Sequence, residues 1–363
     1  MKQQHLVLVG GGHAHALLLR AWRAEDHPGI RLTVVEPNTK VPYTGMLPGF
    51  VAGHYKFDDL YIDVATLTER AGGTLIIAKA DSIDPDKQIV HTAKGDYSYD
   101  ILSVDIGIQT SMPEVPGFAE HAVGVKPLNE FAKRWDTYAE STGPKDIVII
   151  GGGIAGVEVA LAMRHRLRQS SKERTSITIV EQGRSLGRVS PSTRQFLKKE
   201  LDKQGVVMRE NTTVKETSKD KVVLDAEELP ANFVLGAAGA RPYGWVEKTK
   251  LPTTDGFIDV DETLRSPAYP SVFAVGDCAH YAPDPLQKAG VYAVRQAPVL
   301  HSNIAALAAG QPLKKFSPQA DYLKLISLGS KRAAADKWGI CLRSKPLWHL
   351  KNRIDTSFMS SLR

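Results

Sequence analysis

Short apolar runs that end in glycine dominate the first half of the chain. Leu6-Val7-Leu8-Val9 has the length of a buried strand and runs directly into Gly10-Gly11-Gly12. A helical apolar stretch follows from Ala14 to Trp22, and a β-branched run, Leu32 to Val35, ends on Glu36. Pro37 to Gly53 is rich in glycine and proline and predicts a loop. The pattern then predicts a helix over 57–70, a strand over 74–77, a hairpin around Asp84-Pro85-Asp86 and an apolar strand-like run over 101–107. Asp105 interrupts that last run; a charge there needs a partner or a place at the strand's exposed end. A helix is expected over 129–140.

The opening pattern then returns. Ile147-Val148-Ile149-Ile150 runs into Gly151-Gly152-Gly153, a helix is predicted from Val157 to Arg168, and a strand from Ile177 to Val180 ends on Glu181. Strand, glycine turn, helix, strand, acid is the context that a dinucleotide-binding fingerprint requires. Glycines let the backbone approach a pyrophosphate, the helix N-terminus offers free N–H groups, and the acid accepts from a ribose. The second copy is complete, with Gly151, Gly153 and Gly156, and its acid lies 25 residues after Gly156. The first copy has Gly10 and Gly12 but His15 at the third position, which implies wider helix–strand packing or a side chain turned outward. Two copies imply two dinucleotides. A carboxylate at Glu181 repels a ribose 2′-phosphate and favours NADH over NADPH, with Arg184 close by as a counterweight.

Later segments are less regular. Strands of a meander are expected over 206–208 and 214–224, and Phe233 to Arg241 is an apolar run that ends in a glycine turn. Ser271 to Ala279 delivers Gly276-Asp277 at a strand's end, where the acid is either a helix cap or a ligand contact.

Composition narrows the class. With 363 residues, 42% hydrophobic and 24% charged, the chain predicts a soluble protein of two or more domains. The net charge of +6 is carried by the tail, where eight Lys/Arg from Lys331 onward face only Asp336 and Asp355. A general nucleic-acid surface is therefore not indicated. Cys278 and Cys341 form no C-x-x-C pair, so neither a zinc site nor a vicinal redox disulfide is expected, and no metal site is. With no signal-peptide pattern and no run of about 18 apolar residues, a cytoplasmic location is expected, peripheral to the membrane if the tail docks there. In that tail Leu347, Leu350, Ile354, Phe358 and Leu362 suggest one apolar helical stripe, with Lys351 and Arg353 off it. Such a helix lies on an anionic membrane surface, or packs on its own protein or on a second copy in a homodimer.

The paired glycine units together with VFAVGDCA resemble the two-dinucleotide flavoprotein family of pyridine nucleotide-disulfide oxidoreductases and type II NADH dehydrogenases. In detail, GGGHAH, PYTGMLPGFVAG and WHLKNRIDTSFM resemble the subgroup found fused ahead of selenophosphate synthetase. The resemblance implies an α/β fold with two Rossmann-like domains, binding FAD and NAD(P)H, and a C-terminal α/β tail. It puts FAD on 1–120 with 251–310, NAD(P)H on 121–250, and an interface or membrane segment on 311–363. By position, Gly10, Gly12, His15, Glu36, Thr44, Ala80, Gly276 and Asp277 would serve FAD, and Gly151, Gly153, Gly156, Glu181 and Gly239 would serve NADH. Glu158 matches an acid near the meeting point of nicotinamide and flavin; its alternative is a helix residue facing neighbouring backbone. Of the glutamine-rich helix start near the quinone, only Gln296 matches. The family's C-x4-C is absent from 41–53, and Cys278 is expected to be a small buried residue. The implied activity passes hydride from NADH to FAD and electrons on to a quinone. The alternatives are a soluble selenium or sulfur acceptor, or a flavin-binding redox sensor with little turnover.

Overall fold

The computed structural model describes residues 3–110, 112–170 and 174–363. The first apolar run becomes strand β1 (Gln4–Val9), and the glycines after it lead into helix α1 (His13–Ala21). β2 (Ile30–Val35) lies parallel to β1, with Leu6 opposite Leu32 and Val9 opposite Val35. β3 (Thr74–Ile76) pairs with β2, and β4 (Ile101–Val104) pairs with the other side of β1. Leu6, Val7, Leu8 and Val9 are all buried, because a parallel sheet covered on both faces has no solvent side.

The second sheet is built from β5 (Ala122–Gly124), β6 (Lys145–Ile150), β7 (Thr175–Val180), β8 (Val206–Arg209) and β9 (Phe233–Gly236). Its order is β5-β9-β6-β7-β8, and helix α2 (Ile154–Ser170) follows β6 as α1 follows β1. β10 (Val272–Ala274) then returns to the first sheet beside β4, which gives it the order β10-β4-β1-β2-β3. The strands β4-β1-β2-β3 match β9-β6-β7-β8, so the repeat in sequence is a repeat in topology, while the edge strands differ: β10 follows its unit in the chain and β5 precedes its own. The fold is α/β with two parallel sheets of Rossmann type.

Two segments differ from the pattern's expectation. Residues 57–70 are not one helix. A 3-10 turn (Phe57–Leu60) leads into a short strand (Tyr61–Asp63) antiparallel to Lys40–Pro42, and only Val64–Arg70 is helical. Asp63 makes the break: its carboxylate accepts from Thr66 N at 2.9 Å and caps the helix. Residues 37–53 are not all loop either, since a 3-10 turn (Thr44–Met46) and a short helix (Leu47–Val51) lie within them. Leu47, Phe50 and Val51 bury their side chains there despite the glycine and proline punctuation.

After helix α3 (Gly290–Ala308) the chain forms an antiparallel sheet of β11 (Lys324–Ser327), β12 (Ala333–Lys337) and β13 (Ile340–Ser344), then helix α4 (Lys345–Ser361). The apolar stripe expected on α4 does not hold as one face. Leu350 and Ile354 are exposed, whereas Phe358 is half-buried and Leu362 buried. Steps of four residues advance about 40° past a full turn of a 3.6-residue helix, so three such steps carry the stripe a third of the way round. The inward side holds Lys351, Asn352, Asp355 and Met359 instead. No helix among the described residues is long and apolar enough to cross a membrane.

Candidate functional site

Both glycine turns are closed by the same pair of amide-to-carboxylate hydrogen bonds. Gly10 leaves β1 with φ +92° and Gly151 leaves β6 with φ +119°. A Cβ on Gly10 would lie 2.4 Å from Asp105 O, and one on Gly151 would lie 2.6 Å from Ala238 N, so both positions exclude side chains. In the first unit Glu36 Oε2 accepts from Gly11 N at 2.9 Å and its Oε1 from Asn38 N at 3.0 Å. In the second unit Glu181 Oε2 accepts from Gly152 N at 2.7 Å and its Oε1 from Gly183 N at 3.0 Å. Each acid thus closes its own turn and sits beside the helix N-terminus where a phosphate-bearing ligand would dock. Burial pushes the Glu36 carboxyl above the usual range, although its N–H partners pull it back.

Gly239 has φ +68°, and the first unit carries its equivalent, Gly107, at φ +67°. A Cβ at either, or at Gly153, would meet nothing within 4 Å, so open space lies beside these turns. Gly107 was not among the residues singled out from sequence; aligning the apolar runs that start at Ile101 and Phe233, each six residues before its glycine, would have found it.

His15 is turned inward, contrary to the outward alternative. Its ring is fully buried, with Nδ1 2.7 Å from Gly10 O and Nε2 2.8 Å from Ser103 Oγ. In the second unit a Cβ on Gly156 would come within 2.1 Å of Gly151 O. The first helix must therefore stand farther from its turn, and the imidazole fills the gap. Burial lowers the His15 pKa to about 4, so the ring is neutral at physiological pH.

Gly276 and Asp277 follow β10 in a 3-10 turn (Gly276–Cys278). The helix-cap alternative for Asp277 does not hold: its carboxylate pairs with Lys126 Nζ at 2.9 Å, and the turn has no side-chain cap. Gln296 is buried on α3, and its side-chain oxygen accepts from Gly276 N at 2.7 Å. It is a positioning residue for this turn. Cys278 is buried with its Sγ 3.3 Å from Val275 O, and burial pushes the thiol up to about 12, which leaves it inert. Ala80 begins a strand (Ala80–Asp84) that pairs with Ile89–Thr92.

Thr44 lies where three parts of the chain converge. Tyr43 donates from its hydroxyl to Asp355 Oδ1 at 3.1 Å and stacks on Phe358 at 4.6 Å. Lys351 Nζ donates to Gly45 O and to Asp355 Oδ2, both at 2.9 Å. Glu158 reaches this cluster from α2, and its Oε1 accepts from Ser327 N at 2.7 Å. Burial raises the Glu158 pKa to about 7, with the Lys351 charge pulling it down and Asp355 pushing it up. The neighbouring-backbone alternative for Glu158 is thus realised at one oxygen, while the other has no hydrogen-bond partner among the described residues. Sequence pattern missed Tyr43, Lys351 and Asp355; the i, i+4 pair Lys351–Asp355 was the available signal.

These features agree with the comparisons. The family model described as pyridine nucleotide-disulphide oxidoreductase matches residues 4–297. The chain is 24% identical over 331 residues to the type II NADH:quinone oxidoreductase of Staphylococcus saprophyticus, covering 84% of this chain and 82% of that protein. It is 26% identical over 292 residues to a demethylphylloquinone reductase of Synechocystis, covering 76% and 71%. Among solved structures, the sulfide:quinone oxidoreductase of Aquifex aeolicus shares the fold with a TM-score of 0.83 at 20% identity, over 99% of this chain and 91% of that one.

Proposed function

The chain belongs to the pyridine nucleotide-disulphide oxidoreductase family, and from that premise we propose that it oxidises NADH and passes the electrons to a quinone. It is a flavin-dependent NAD(P)H oxidoreductase that uses FAD and NAD(P)H. The observation that carries the reading is the duplicated turn, in which Gly11–Glu36 and Gly152–Glu181 make the same contact on two matched sheets. The residues fit the two dinucleotides: the open space at Gly107, Gly153 and Gly239 lets a ligand approach the main chain closely. In this reading the first turn with Glu36, Thr44, Ala80, Gly276 and Asp277 holds FAD, and the second with Gly156, Glu181 and Gly239 holds NADH. When bound, the two cofactors supply the hydride and electron chemistry.

The protein's own part is to orient the rings and handle protons. Glu158 Oε1 is committed to Ser327, so a proton on this carboxyl resides on Oε2. Lys351 holds the Gly45 carbonyl and Asp355 the Tyr43 hydroxyl beside it. Glu181 supports a preference for NADH, because its carboxylate would repel a 2′-phosphate.

A quinone is supported by the two curated relatives, both quinone reductases by name. The tail supports it as well. Trp338, Ile340, Leu342, Leu350 and Ile354 are exposed on the last hairpin and α4, among Arg343, Lys345 and Arg353. The tail's two acids face inward: Asp336 accepts from Thr193 Oγ1 at 2.8 Å, and Asp355 is held by Lys351 and Tyr43. The outer surface is therefore apolar and basic, which suits an anionic membrane. The second reading, a soluble acceptor such as a selenium or sulfur compound, draws on the polar Lys351–Tyr43–Glu158 cluster.

An anaerobic titration with NADH, followed by flavin absorbance, tests the reading. Bleaching at one NADH per flavin is the expected result, followed by faster reoxidation by quinones than by selenium or sulfur compounds. Bound flavin that neither NADH nor NADPH reduces would leave a sensor instead of an enzyme.

A further inference from the structure

The two units differ at one position that the fold does not demand. Val9 lies opposite Val104 and Ile150 opposite Gly236, so the residues that follow, Asp105 and Ala237, are equivalent. Both donate their backbone N–H to the neighbouring strand, to Val9 O and to Ile150 O, each at 2.8 Å. The second unit therefore builds the same turn with a methyl group in place of a carboxyl.

Asp105 is 3% exposed. Its Oδ2 accepts from Ala14 N at 2.9 Å and His15 N at 3.2 Å, two amides at the start of α1. Its Oδ1 has no hydrogen-bond partner among the described residues and faces the late turn, where a Cβ on Gly276 would come within 2.5 Å of it. The same carboxyl makes Gly12 obligatory, since a Cβ there would lie 2.2 Å from Asp105 Cγ, whereas the matching Gly153 is open. The charged and titratable neighbours are Glu36 after β2, Asp277 and Cys278 on the late turn, His13 and His15 on α1, and Lys126. The Lys126 ammonium is held by Asp277, and both histidines are neutral at physiological pH, with pKa values lowered to about 4. Lys288, the other cation near Cys278 and Asp277, donates to Ala279 O at 2.6 Å, so among the described residues no cation pairs with Asp105; burial first, then Asp277 and Glu36, raise its pKa to about 7.

We propose that Asp105 is a cofactor-binding residue that works protonated, donating a hydrogen bond from Oδ1 to the diphosphate of the dinucleotide held between Gly10–Gly12 and Gly276–Asp277. This rests on the reading that the first site holds FAD. A dinucleotide diphosphate carries two negative charges and only accepts hydrogen bonds, so an ionised carboxylate in the same dry space repels it, while the protonated group complements it. Loading the site then takes up one proton from solvent at any pH where the free Asp105 is ionised. Ala237 spares the second site this linkage.

The sign follows from the free and bound states. Below about pH 6 Asp105 is protonated with or without FAD, and affinity is flat. Above about pH 7 the empty site loses its proton while the loaded site keeps it, so affinity falls by up to about tenfold per pH unit.

The test is flavin release from the full-length holoprotein, read as fluorescence recovered on dilution between pH 5.5 and 9. The native chain should show a dissociation constant that is flat at low pH and rises above about pH 7, and Asp105→Asn, an uncharged isostere, should bind with no such rise. Asp105→Ala, the residue of the second unit, should be equally flat. A flat native profile with flavin tightly bound overturns the proposal and leaves the FAD reading intact. A native rise that persists in Asp105→Asn but vanishes in Glu36→Gln assigns the proton to Glu36 and overturns it too. A folded chain that holds no FAD at any pH overturns the FAD reading itself, and this proposal with it.

Discussion

At the scale of single residues, burial decides what each titratable group can do. Glu158 has a pKa raised to about 7 and one free oxygen, so it is poised to give up a proton near neutrality. Quinone turnover should therefore fall as pH rises through about 7. Glu158→Gln should slow the quinone step at least about tenfold and flatten that profile, a loss steeper than any in flavin reduction by NADH, which stopped-flow separates. His15 works through stability. Its folded pKa of about 4 lies below the unfolded value of 6.5, so its contribution is complete above pH 6.5 and is lost as pH falls toward 4. Asp105, with a raised pKa, titrates in the opposite sense, so the measurement must be a difference. Between pH 6.5 and 4, urea unfolding should show the native chain losing up to about 3 kcal/mol more than His15→Gln.

At the scale of elements, the tail is tied to both units. Gly329, with φ +81°, lets the loop between β11 and β12 rest on α2, and a Cβ there would lie 2.1 Å from Leu161 O. Nearby, Ser327 N holds Glu158, and His54 Nε2 lies 3.0 Å from Gly329 O. Gly329→Ala should therefore lift the tail from α2, visible as faster proteolysis after residue 310 and a lower thermal midpoint. Deleting α4 would be a poor probe of membrane contact, because Lys351 and Asp355 also brace the Tyr43–Gly45 segment. Serine substitutions at Trp338, Ile340, Leu350 and Ile354 change exposed positions only.

At the scale of the whole molecule, charge is separated along the chain. The net +6 sits in the residues from Lys331 onward, and their two acids are buried. The protein should co-sediment with anionic vesicles and not with neutral ones. That binding should weaken with salt, since each surface Lys or Arg contributes about 1 kcal/mol within a Debye length. The four serine substitutions should abolish it while NADH still bleaches the flavin. Equal binding to neutral vesicles, or binding untouched by the substitutions, would remove the membrane from the reading.

Sequence by itself determined the two units. Strand, glycine turn, helix and acid are local features, and their repetition at Gly10 and Gly151 reads directly as two matched sheets, because strand length, turn sterics and helix start are set by neighbours in the chain. What only the tertiary structure decided lies between distant segments. The partner of Asp105 is the start of α1, the partner of Gln296 is Gly276, and the inward face of α4 carries Lys351 and Asp355 beside Met359. None of these follows from periodicity. A buried carboxyl or amide is satisfied by whichever backbone group packing brings to it, and a helix turns inward the side that finds partners there.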